Sequence, residues 1–142
     1  MAVSLRDSHA QFLAHLKQAG KAQATVIAYS KDIEQLVESL EETGKSDVSQ
    51  ITSADIEQFK DALKRKRYTS KSISRKINSI KAYFRHLISE GLIASNPADE
   101  VAHPKFDQAP PRVLSKLEYR ALRDAARGDV RMSAVIELLL QT

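Results

Sequence analysis

The stretch from Ser70 to Gly91, S-K-S-I-S-R-K-I-N-S-I-K-A-Y-F-R-H-L-I-S-E-G, carries two faces that need different surroundings. Ile73, Ile77, Ile80, Phe84, Leu87 and Ile88 recur at the i, i+3, i+4 spacing that gathers side chains on one side of a helix. That stripe has to be covered by other apolar groups. Lys71, Ser74, Arg75, Asn78 and Arg85 share the opposite side, with Lys81 at its margin, and no carboxylate interrupts them before Glu90. A surface of that charge attracts an anion. Ser70 is placed to cap the first turn, and Gly91 to close the last one in the left-handed conformation.

Charge around this helix is sorted into blocks. Between Asp32 and Phe59 stand the acidic residues Asp32, Glu34, Glu38, Glu41, Glu42, Asp47, Asp55 and Glu57 against one base, Lys45. Between Lys60 and His86 stand Lys60, Lys64, Arg65, Lys66, Arg67, Lys71, Arg75, Lys76, Lys81 and Arg85 against one acid, Asp61. The net charge of +4 hides this division. A basic block on consecutive helices is the footprint of a polyanionic partner, whereas a solubilising face would mix its signs.

Three more helices precede the basic one. Leu5, His9, Phe12, Leu13 and Leu16 line one side of a first helix from about Ser4 to Ala19, closed by Gly20. A second begins near Gln23 to Thr25 and runs to about Thr43, with Val26, Tyr29, Ile33, Leu36, Val37 and Leu40 inward and Gly44 at its end. Lys21, Thr25 and Lys31 sit in its basic or neutral first half, so only that half suits phosphate; Thr25 serves equally well as a cap. A third starts at Thr52 with Asp55 three residues on, buries Ile56, Phe59 and Leu63, and finishes in Lys64-Arg65-Lys66-Arg67. Four amphipathic helices with short connections predict an all-α antiparallel bundle over residues 1–96.

Residues 97–112 hold Pro97, Pro104, Pro110 and Pro111 and read as an extended linker. Ser115 and Glu118 form a capping box that restarts a helix, and a last, almost wholly apolar helix runs from Val130 to Thr142. Residues 113–142 are too few to bury that helix, so they are expected to be the opening of an incomplete second domain. Cysteine is absent, the four histidines lack metal-ligand spacing, and no apolar run reaches membrane-spanning length. No metal, no cofactor and no membrane partner are therefore expected. The start M-A-V-S-L-R has no signal-peptide pattern, and a cytoplasmic location is expected.

Several segments in order, F-L-A-H-L, T-V-I-A-Y-S-K-D-I, I-T-S-A-D-I-E-Q-F, S-I-S-R-K-I-N-S-I-K-A-Y-F-R-H-L, N-P-A, H-P-K and P-R-V-L-S-K-L-E, resemble the tyrosine recombinases of the Xer and phage-integrase family. The resemblance implies a core-binding domain of SAM-like helices, a linker and the start of a catalytic domain, closing together around duplex DNA. It implies that the helices at Thr25 to Lys31 and Ser70 to Arg85 face a recombination half-site, with Lys21, Thr25, Lys31, Ser70, Lys71, Ser74, Arg75, Asn78, Lys81 and Arg85 as the DNA-binding set. It further implies contacts between protomers in a synaptic tetramer, with His9, Phe12 or Leu13 of the first helix as candidates.

Thr142 matches the threonine that precedes the family's first catalytic arginine, so no catalytic residue is expected here and the chain alone is expected not to cleave DNA. Two other readings stand beside this one. A stand-alone helical adaptor or architectural protein would bind DNA without chemistry, and a protein-interaction bundle would offer the basic block to an acidic protein.

Overall fold

The structure is a computed structural model that describes residues 3–105 and 110–141. Its described residues form six α-helices, a short 3-10 helix at Val48–Gln50 and no strand, divided between two units, 1–106 and 107–142. Thr142 and the linker residues 106–109 lie outside the described residues.

In the first unit, α1 spans Leu5–Gln18, α2 Gln23–Glu42, α3 Ser53–Arg65 and α4 Ser70–Ser89. Each apolar stripe finds its cover, and α4 packs against all three of the others. Ile73, Ile77, Ile80, Phe84 and Leu87 are buried against Leu5, Phe12, Ile33, Leu36, Ile56 and Leu63. The stripe is wider than its apolar members, because Lys76, Ser79, Tyr83 and His86 are buried too. At about 100° per residue those four move the centre of the buried arc towards α1 and α2. Ile88 is thereby left at the rim and exposed, contrary to its place in the expected stripe.

Interior polar groups are paired in a way that locks helices together. The Ser8 hydroxyl donates to the Leu5 carbonyl at 2.9 Å, so at 2.6 Å from the Tyr83 oxygen it accepts the phenol proton. Burial pushes the Tyr83 phenol up to about 12, which keeps it a donor at every working pH. Thr69, rather than Ser70, caps α4, its hydroxyl accepting from the Ser72 amide at 3.2 Å. Thr52 and Asp55 form the expected capping box at the start of α3.

All four helices end alike. In each the amide two residues past the cap reaches back five residues and the amide before it reaches back three, as in Lys21 to Leu16 with Gly20 to Lys17. The turning residue has positive φ: Gly20 at 68°, Gly44 at 79° and Gly91 at 69°, but at the end of α3 it is Arg67 at 59°.

The second unit holds α5, Lys116–Ala126, and α6, Val130–Gln141, joined through Gly128. Ser115 and Glu118 make the capping box read from the sequence, and Arg123 pairs with Glu137 across the two helices. Only Ala126 is buried within the described part of this unit, while Leu117, Val130, Leu138 and Leu139 stay largely exposed.

His86 is buried against the stacked ring of His15, 4.5 Å away between centroids, and neither of its ring nitrogens has a hydrogen-bond partner among the described residues. Burial, then the nearby His15, holds its pKa below the ordinary imidazole value, with Glu90 opposing; burial lowers His9 as well. A depressed histidine favours the neutral folded form, so its contribution is present above about pH 6.5 and is lost as pH falls through its lowered folded value. Urea denaturation should shift to lower midpoints as pH drops below about 6.5, and His86→Leu should flatten that slope. An identical slope in the variant would place the pH sensitivity elsewhere.

Candidate nucleic-acid interface

Asp32 of α2 is fully buried, and its carboxylate is surrounded by donors from α4. Arg75 approaches with both terminal nitrogens, Nη1 to Oδ2 at 2.6 Å and Nη2 to Oδ1 at 2.8 Å. Lys76 Nζ donates to Oδ1 at 2.9 Å and Ser79 Oγ to Oδ2 at 2.8 Å. The arrangement shares one carboxylate between two cations that neighbour each other in sequence, so the cluster keeps a net positive charge. Lys76 is buried with its partner, though less completely, whereas the Arg75 side chain remains half exposed with three of its five N–H groups outside the Asp32 fork.

The expected polar face of α4 therefore divides into a free centre and two engaged edges. Lys71, Asn78 and Arg85, seven residues apart and hence on one line, are exposed, and none has a hydrogen-bond or ion-pair partner among the described residues. Arg75 occupies the edge facing α2. On the other edge the chain after α4 folds back: Ala98 and Val101 are buried, Ser74 Oγ lies 2.9 Å from His103 Nδ1, and Lys81 Nζ donates to the Asp99 carbonyl at 3.3 Å. Lys60, on α3, donates to the Ala102 carbonyl at 3.2 Å and pairs with Glu57 at 2.5 Å. Burial, then Lys81 and Lys60, lowers the His103 pKa, which favours a neutral ring beside those ammonium groups.

Lys21, just before α2, and Lys31 are exposed, and Thr25 is half-buried in the first turn. Ser70 is the first residue of α4 and half-buried. The second half of α2 is acidic, with Glu41 held by Arg6 at 2.5 and 2.8 Å. A polyanion is thus admitted along the first turns of α2 and the line on α4, and repelled farther along α2. Among the described residues no group of three or more His, Cys, Asp or Glu side chains is placed to hold a metal ion, and no helix is long and apolar enough to cross a membrane.

The Asp32 clamp escapes a reading of charge blocks, in which Asp32 counts as one more surface acid. Its signal lies in spacing. Asp32 stands three residues after Tyr29 and four before Leu36, inside the apolar period of α2, as Lys76 stands between Ile73 and Ile80.

Removing the carboxylate leaves the Lys76 ammonium buried without its counter-charge. Asp32→Ala should cost about 3–5 kcal/mol of stability in urea denaturation. Adding Lys76→Met to that variant should recover most of the loss. A single-variant cost under about 1 kcal/mol would mean that Lys76 escapes to solvent.

Comparison with known proteins places these residues in a family. The family model described as "Phage integrase, N-terminal SAM-like domain" matches residues 10–91, a span that includes every candidate contact from Lys21 to Arg85. Tyrosine recombinase XerC of Xanthomonas campestris pv. campestris (strain B100) is 33% identical over 89% of this chain and 41% of its own length. The XerC of Roseiflexus sp. (strain RS-1) is 27% identical over 97% of this chain and 46% of its own. The chain thus spans less than half the length of these curated relatives. A lambda integrase tetramer bound to a Holliday junction contains a chain that superposes with a TM-score of 0.70 at 22% identity, over 90% of this chain and 37% of that one. With an all-helical first unit, a basic line on its fourth helix and a family model covering most of that unit, the chain belongs to the phage integrase N-terminal SAM-like domain family.

Proposed function

We propose that this chain grips one half-site of duplex DNA for a site-specific tyrosine recombinase, acting in the cytoplasm alongside further protomers of its kind. The observation that carries the reading is the line Lys71, Asn78 and Arg85: three exposed side chains without partners among the described residues, on a helix that has no carboxylate. The setting supports it. Relatives that match this chain are named tyrosine recombinases, and the lambda integrase structures of the same fold are described as bound to a core site and to a Holliday junction.

The chemistry then divides by residue type. Lysines 21, 31 and 71 suit phosphate oxygens as mobile point charges, and Thr25 and Ser70 offer hydroxyls at helix starts where free amides also favour anions. Asn78 carries a paired donor and acceptor that match the adenine edge, and Arg85 suits guanine or a phosphate. Arg75 offers DNA its unused N–H groups while Asp32 holds its orientation. Ser74 and Lys81 act at the border, where they also hold the segment 98–105.

Residues 113–142 are the start of a larger catalytic domain in this reading, because the exposed apolar faces of α5 and α6 call for a cover. No strand cleavage is assigned to residues of this chain, and binding by it alone is expected to be weak and salt-sensitive.

Fluorescence anisotropy with a labelled duplex of mixed sequence, across a series of salt concentrations, tests the proposal. Lys71→Ala and Arg85→Ala should each weaken binding to any duplex several-fold and lower the salt slope by about 1. Asn78→Ala should instead narrow the difference between favoured and disfavoured sequences. No binding at low salt, or binding that ignores all three variants, would refute the DNA reading.

A further inference from the structure

We propose that Arg67, at the turn between α3 and α4, is an additional DNA-phosphate contact whose side chain is kept there at the expense of backbone strain. This rests on the DNA-binding reading above and adds a residue outside its set. The four helix ends of the first unit form a natural comparison. Each closes with the same pair of backbone hydrogen bonds, the fourth through Tyr68 N to Leu63 O at 3.1 Å and Arg67 N to Lys64 O at 2.9 Å. Each requires a left-handed residue, and glycine fills three of the four positions.

Arg67, with φ at 59°, is the non-glycine residue of positive φ among those described. A side chain is disfavoured in that conformation, and arginine lacks the short amide that lets asparagine tolerate it. Strain of this kind points to a function when the surroundings enforce it and the side chain does nothing for the fold. Both conditions are met. The following Tyr68 is fixed by a hydrogen bond from Gln35 Nε2 at 3.2 Å and by Lys76 Nζ lying 5.4 Å from its ring centroid. The Arg67 side chain is exposed and has no hydrogen-bond or ion-pair partner among the described residues. Along the chain it stands between the basic end of α3 and Lys71 in the first turn of α4, four residues before the start of the free line of α4.

Arg67→Gly separates strain from contact. The variant should melt higher, by roughly 4 to 8 °C, as the left-handed turn relaxes. Its affinity for a mixed-sequence duplex should fall about 3- to 10-fold at low salt, with the salt slope reduced by about 1. Arg67→Lys keeps charge and strain, so it should melt like the parent and retain most of the affinity. A higher melting temperature with unchanged DNA affinity in Arg67→Gly, while Lys71→Ala still weakens binding, would overturn this inference and leave the DNA reading standing. A melting temperature that does not rise would overturn it too, since the backbone would then carry no strain to explain. Loss of effect in Lys71→Ala and Arg85→Ala as well would sink the DNA reading itself.

Discussion

A buried carboxylate with three donors on it is the constraint from which the arrangement of the first unit follows. Asp32 has no route to water, and its burial would be prohibitive without Arg75, Lys76 and Ser79. Those partners lie on α4, so satisfying Asp32 sets both the rotation of α4 and its position along α2. The apolar contacts of Ile33 and Leu36 with α4 have no such directionality, because hydrophobic burial is insensitive to which methyl group meets which. A single ionic cluster thus supplies the register that the core alone leaves open.

That register has a consequence for the exposed side of α4. With Lys76 drawn inward and Arg75 held against α2, the line through Lys71, Asn78 and Arg85 is turned outward. The opposite edge is held by backbone carbonyls of Asp99 and Ala102, which accept from Lys81 and Lys60. Of the basic block from Lys60 to Arg85, Lys60, Lys64, Arg75, Lys76 and Lys81 all have partners within the chain. Arg65, Lys66, Arg67, Lys71 and Arg85 form no ion pair or hydrogen bond with another described residue through their side chains. The basic block is therefore divided, half of it engaged in building the bundle and half left exposed, where the proposed contact with an anion would use it.

Most of the architecture could be read from the order of residues, and the exceptions share one cause. Apolar period, the Thr52–Asp55 and Ser115–Glu118 boxes, and glycines 20, 44 and 91 mark helices and their ends because each acts through neighbours in sequence. Ser8, Asp32 and Lys76 are polar residues placed three after one apolar neighbour and four before another, Lys60 stands four after Ile56 and three before Leu63, and each is buried with a partner remote in sequence or in a separate segment. Their type says surface while their spacing says interior, and spacing decides. Ile88 errs in the opposite sense: it is apolar, but the wide arc formed with Lys76, Ser79, Tyr83 and His86 leaves it on the rim. For the candidate site, residue type and helical spacing define a polar face, whereas its division into free and engaged members depends on contacts such as Asp32 with Arg75 and Ser74 with His103.

In the proposed function, an anionic duplex meets the outward line of α4 and the first turns of α2, on a frame set by Asp32. Amide shift mapping of the chain during titration with a mixed-sequence duplex, at low and moderate salt, tests it most directly. Salt-sensitive shifts are expected on residues 67–71, around Asn78 and Arg85, and from Lys21 to Lys31, with the Glu34 to Glu42 half of α2 unaffected. Shifts concentrated on that acidic half, or none at low salt, would contradict it.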